Sequence, residues 1–126
     1  MSRFLFGAGL LILLLLAGLL GGCLMEDHHA PIAQALDDAA ALVLSGEEDA
    51  AAALIHSTRQ IWDARWRATA ALTDHAPMDE IDSLFSQAEA YAAAGSLEEL
   101  AACCARLSQL VRANGEAHKL TWWNLL

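Results

Sequence analysis

The stretch "LLGGCLMEDHHAP", Leu19–Pro31, decides how the chain is divided. An apolar run stops inside it, a cysteine follows two glycines, and four charged or titratable residues precede a proline. From Phe4 to Met25 the chain carries no charged side chain, a run of 22 residues. A membrane helix needs ~20 apolar residues, so the run is long enough to span. Arg3 lies before it and Glu26-Asp27 after it. A positive end stays in the cytoplasm, which puts the rest of the chain on the extracytoplasmic face of the cytoplasmic membrane. The expected division is an anchor over 1–25 and a domain over 26–126.

Leu20-Gly21-Gly22-Cys23 is similar to the lipobox of bacterial lipoproteins. Small residues beside the cleaved bond and a thiol to carry diacylglycerol are what that chemistry requires. Cys23 is therefore a candidate lipidation site, and an uncleaved spanning helix is the competing reading. Both keep the domain at the same membrane face, and both stay open. A plainly cleaved signal peptide lacks its A-x-A-like site.

About 100 residues follow, enough for one small domain with one core. Alanine dominates them, and Val, Ile, Thr, Tyr and Phe are scarce, which argues against a sheet. Six basic and 16 acidic residues follow the anchor, so this part carries 6 − 16 = −10. Such a charge repels nucleic acid and anionic headgroups. Three cysteines, two of them adjacent, do not make a disulfide framework. Cys103 and Cys104 lie in a helical pattern and read as small buried apolar groups.

The periodicity predicts four helices. The first runs from His28 to Leu44 with Ile32, Leu36, Ala39/Ala40 and Val43 inward. Pro31 suits its first turn or marks a kink below it. Gly46 ends it as a left-handed cap. The second starts at Glu47-Glu48-Asp49 and runs to about Thr73, with Leu54, Ile55, Thr58, Ile61, Trp62, Trp66, Thr69 and Leu72 as its stripe. Arg59, Asp63 and Arg67 have the spacing of exposed ion pairs. Pro77 opens the third, whose buried stripe is Ile81, Leu84, Phe85, Ala88 and Tyr91 or Ala92, and which stops at Gly95. Ser96-Leu97-Glu98-Glu99 has the capping-box pattern. The fourth buries Leu97, Leu100, Cys104, Leu107 and Val111 and is expected to stop at Asn114-Gly115. In the tail, "EAHKLTWWNLL", two adjacent Trp cannot face the same way, so one packs on the domain or meets the membrane interface. "LSGEEDAAAAL" and "AAGSLEELAAC" echo each other with glycines 49 apart. The expected fold is all-α: an N-terminal anchor helix, then a four-helix bundle of two antiparallel hairpins, partly solenoid-like.

Ile61–Val111 contains Trp62, then Asp74-His75, then Asp79-Glu80-Ile81, then Tyr91 and an acidic turn at Gly95-Ser96-Leu97-Glu98-Glu99; the chain closes on Asn124-Leu125-Leu126. This succession resembles an uncharacterised bacterial membrane-anchored family, domain-of-unknown-function family 4363. The resemblance implies a membrane helix followed by a helical domain, and no chemistry. The Pro-Met turn after His75 and Cys23 at the end of the anchor depart from the pattern.

Asp74-His75 with Asp79 or Glu80 is the candidate binding site, for a metal or as an acid–base pair. The bland alternative is that Asp74 and His75 join the ends of two helices by hydrogen bonds. Glu26-Asp27-His28-His29 reads as a solvated linker beside the membrane. His56 and His118 read as lone surface residues. Trp62 and Trp66, four apart among arginines, fit core packing better than a binding patch. No nucleophile, phosphate-loop, haem or zinc motif is present, so no cofactor, metal or catalytic residue is assigned. The expected role is a non-enzymatic module that contacts another envelope protein; a ligand- or metal-binding sensor built on His75 is the alternative.

Overall fold

Two glycines turn the chain at the same end of the molecule. Gly46 has φ 84° and Gly95 φ 69°, and no other described residue has a positive φ. At each, two main-chain bonds close the helix end. Gly46 N–H donates to Val43 O and Glu47 N–H to Leu42 O, while Gly95 N–H donates to Ala92 O and Ser96 N–H to Tyr91 O. Both are Schellman motifs, which need a residue without a Cβ at the left-handed position. Glu47 and Ser96 then start the next helices, their carbonyls accepting from Ala51 and Leu100. The sequence echo is thus a repeated corner. These main-chain bonds close the end of α3, and the expected Ser96–Glu99 capping box is not among the hydrogen bonds of the described residues at the start of α4.

The structure, a computed structural model, describes residues 2–69 and 76–123, with side chains over 5–20, 28–67 and 76–117. Among them are four helices: α1 Ser2–Leu44, α2 Glu48–Thr69, α3 Ala76–Ala94 and α4 Leu97–Trp123. The fold is all-α. Packing runs α1 on α2, α2 on α3, α3 on α4 and, most extensively, α4 back on α1. The two hairpins therefore close on each other as a ring of antiparallel neighbours. The expected solenoid-like character is absent, because the long α4 pairs with α1 along most of its length.

The core holds Ile32, Leu36, Val43, Ile55, Trp62, Ile81, Leu84, Phe85, Leu100, Leu107 and Val111. Ala33, Ala39, Ala51 and Ala88 are fully buried between them and let the helices come close. Ile61 departs from expectation: it is 49% exposed, because Thr58 and Trp62 take the inward positions on that turn.

Two expected boundaries fall. The helix assigned to His28–Leu44 is the second half of α1, which crosses residues 25 and 26 without a break and passes through Pro31. A proline there removes the bond to the Asp27 carbonyl, at a cost of ~3 kcal/mol. Ile32 and Ala33, both buried, hold the helix immediately above it. The Pro31 ring itself faces solvent. Second, α4 continues through Asn114-Gly115 to Trp123.

Below the bundle, α1 presents Leu5, Phe6, Leu10 through Leu16, Leu19 and Leu20 to the outside, each at least 40% exposed. Among the described residues no helix is long and apolar enough to cross a membrane. The side chains described here, 5–20, fall short of the ~20 residues that a span needs.

Arginines tie the helices at the rim. Arg59 of α2 reaches Glu89 at 2.6 Å and Asp82 at 3.5 Å on α3, besides Asp63 at 3.9 Å on its own helix. Arg106 of α4 meets Glu80 of α3 at 2.8 Å, and Arg112 of α4 meets Asp37 of α1 at 2.6 Å. The expected Arg59/Asp63/Arg67 ladder is mostly replaced. Arg59 turns to the neighbouring helix, and Arg67 donates to the Asp63 carbonyl.

The Arg112 guanidinium, with the Ser108 hydroxyl, holds the Asp37 carboxyl below its usual 3.8 against a smaller opposing push from burial. A lowered folded-state value means that this contribution is present above the unfolded pKa and is lost as pH falls through the folded one. In an Arg112→Met variant the Asp37 carboxyl should titrate higher than in the wild type. Carboxyl-detected NMR titration checks this; an unchanged midpoint would contradict it.

Candidate functional site

The most chemically varied cluster joins all four helices near the base of the bundle. It starts from His29, which lies on the same stripe as Ile32, Leu36 and Val43 and is half-buried rather than part of a solvated linker. His28, one residue before, is exposed. The His29 ring meets Trp62 of α2 edge-on, with centroids 6.1 Å apart and planes at 76°. Trp62 in turn leans on Phe85 of α3 at 6.4 Å. The edge-to-face arrangement suits the ring quadrupoles.

Asn114 of α4 supplies the polar contacts. Its Nδ2 lies 3.2 Å from His29 Nε2 and 3.8 Å from Met78 Sδ of α3. An amide nitrogen has two hydrogens and no acceptor capacity. In this orientation one hydrogen goes to the imidazole and one to the thioether. With the amide nitrogen as the donor, His29 Nε2 is the acceptor of this contact. Asn114 is 8% exposed, so leaving its amide unpaired would cost ~1–3 kcal/mol.

Gly115 makes the approach possible. A Cβ built on it would stand 3.0 Å from His29 Cβ and 3.2 Å from Cγ. The nearest atom is fixed to the α1 backbone and cannot swing away. The glycine read as a helix stop is thus a helix-interior residue where α4 touches α1.

Of the residues singled out from the sequence, Trp62 is buried here and Trp66 is half-buried and packs against the same core. Both belong to packing. Asp79 is exposed in the first turn of α3. Glu80 is exposed and engaged by Arg106. Asp74 and His75 lie outside the described residues. Cys23 lies within α1, but its side chain is outside the described residues, as is that of His118. Among the described residues no three His, Cys, Asp or Glu side chains come together as a metal site. His56 is not alone: its Nδ1 is 3.2 Å from Glu89 Oε1, and its Nε2 is 3.1 Å from Gln60 Nε2.

Cys103 and Cys104 are free and buried. Cys103 Sγ donates to the Leu84 carbonyl at 3.4 Å. Burial pushes the Cys103 thiol up, and burial together with neighbouring Cys103 pushes Cys104 up to about 12. Thiols react as thiolates, so both are protected in the folded protein.

Compared with protein-family models, with curated proteins and with solved structures, the chain finds no match.

Two outcomes are expected. Gly115→Ala should lower stability by about 1–3 kcal/mol, the usual cost of overpacking, although alanine is the better helix former. Denaturant unfolding checks this, and a raised midpoint would contradict it. In a Cys23→Ser background, Cys103 and Cys104 should resist a thiol reagent at pH 8 and both react after denaturation. Fast labelling of the native protein would contradict the burial.

Proposed function

We propose that the chain is a membrane-tethered helical module of the bacterial envelope, non-enzymatic, which acts through contact with another envelope protein. The observation that carries the tether is the exposure of the α1 leucines. Leu10 through Leu16 are exposed on consecutive positions, hence all around the helix. A partner helix would cover one side; acyl chains cover every side. The uncharged run in the sequence extends from Phe4 to Met25, beyond the side chains described, and so reaches the length of a span.

The surface chemistry supports action away from the bilayer. Both Schellman corners lie at the end of the bundle farthest from the leucines. They carry Glu47, Glu48, Asp49, Glu98 and Glu99 in or next to the first turns of α2 and α4. These carboxylates favour helix N-termini and disfavour anionic headgroups, which keeps that end pointing outward.

Full-length protein should remain with the membrane fraction after an alkaline carbonate wash, and a form beginning at Glu26 should not. Intact mass of the extracted protein distinguishes a complete chain from one beginning at a lipidated Cys23. Recovery of the full-length chain in the soluble fraction would contradict the tether. Absence of any crosslinked envelope protein in the native host would contradict action by contact.

A further inference from the structure

We propose that the end of α4 is a lipid-docking element, in which Trp122 and Trp123 sit at the headgroup level of the bilayer beside the outer end of the α1 apolar run. The inference rests on the membrane tether proposed above.

The register of α4 on α1 places them there. The two helices are antiparallel, and Gly115 stands opposite His29. From that point α4 continues as helix to Trp123 while α1 continues downward as helix to Ser2. Eight residues of helix are about 12 Å at 1.5 Å per residue. Stepping equally down both helices brings the backbone at Trp122 and Trp123 level with Gly21 and Gly22. Lys119 is then level with Met25, the last residue of the uncharged run.

This level is where a bilayer's interface should fall. The part of α1 below it, Phe4 to Leu20, is about 25 Å long as helix, and the remaining few ångströms of a ~30 Å hydrocarbon core bring its boundary to Gly21–Met25. Tryptophan concentrates at the membrane–water boundary because its body is apolar and its indole N–H needs a partner, and lysine beside it completes the usual interfacial pattern. The placement is also the same whichever fate Cys23 has. A spanning α1 leaves the hydrocarbon at Gly21–Met25, and a lipidated Cys23 would carry its acyl chains from the same level. The bundle is then not hung on a linker: α1 and α4 both enter the interface, and the domain stands on the membrane at two points.

Tryptophan quenching in vesicles of phosphatidylcholine and phosphatidylglycerol tests this with the full chain. The phosphatidylcholine carries bromine either near the ester end or deep in the acyl chain. The emission of the wild type should be quenched more by the shallow bromine than by the deep one. In a W122F/W123F variant, which keeps Trp62 and Trp66, most of that quenching should disappear while the protein still floats with the vesicles. Circular dichroism verifies that its helix content is unchanged. If the variant is quenched like the wild type, the lipid docking is wrong although the tether stands. If the wild type does not float with the vesicles, both fail.

Discussion

The structure depends on the contact between α1 and α4 at His29 and Gly115. A glycine lets the helices meet closely there, where an added Cβ would stand 3.0 Å from His29 Cβ, tighter than ordinary contact. The contact sets their register, and the register sets much else. It brings Asn114 to His29 and Met78, seats Trp62 against the imidazole, and holds α1 in the bundle on the N-terminal side of Pro31 as well as above it. Without support on both sides, a helix-interior proline costing ~3 kcal/mol would be a natural break between the apolar N-terminal half of α1 and the bundle. With it, the apolar shaft and the bundle share one continuous helix.

An alanine-rich core gives close packing but little apolar area per residue. Ala33, Ala39, Ala51 and Ala88 each bring helix backbones near, and the larger side chains fill the space between. Helix order is then reinforced at the rim. Arg59 joins α2 to α3, Arg106 joins α4 to α3, and Arg112 joins α4 to α1. The exposed pairs among them, Arg106–Glu80 and Arg112–Asp37, contribute ~0–1 kcal/mol each. Their arrangement matters more than their sum. With few cations in an acidic chain, each arginine spent between two helices disfavours arrangements in which those carboxylates face one another unpaired.

Much of the fold was legible in the sequence because its signals are local. Gly46 and Gly95 end helices for a reason that needs no tertiary context, and the spacing of Ile32, Leu36 and Val43, or of Ile81, Leu84, Phe85 and Ala88, identifies buried faces directly. The errors came where one local signal has two physical meanings. Asn114-Gly115 has the form of a helix cap, but there the missing Cβ serves interhelical approach. Leu120 and Trp123 beyond it, at helical spacing, were the available hint that the helix continues. Pro31 has the form of a helix start, and only packing on both sides reveals it as interior. His29 shares a charged stretch with Glu26, Asp27 and His28, yet it stands three residues before Ile32 and seven before Leu36, on the buried stripe. The Asp74-His75 pair belongs to the junction between α2 and α3, outside the described residues, so the cluster around His29 is a site that sequence reasoning missed rather than a relocation of the one it chose.

The central claim is the continuity of α1 between the apolar shaft and the bundle. Spin labels at exposed Leu20 and Ala41 flank Pro31; in a Cys23→Ser background, with the buried Cys103 and Cys104 unlabelled, double electron–electron resonance reads their separation in detergent-solubilised full-length protein. One unbroken helix predicts a single narrow distribution near roughly 30 Å, from 1.5 Å per residue. A broad distribution extending to much shorter distances would show a hinge at Pro31 and contradict the account.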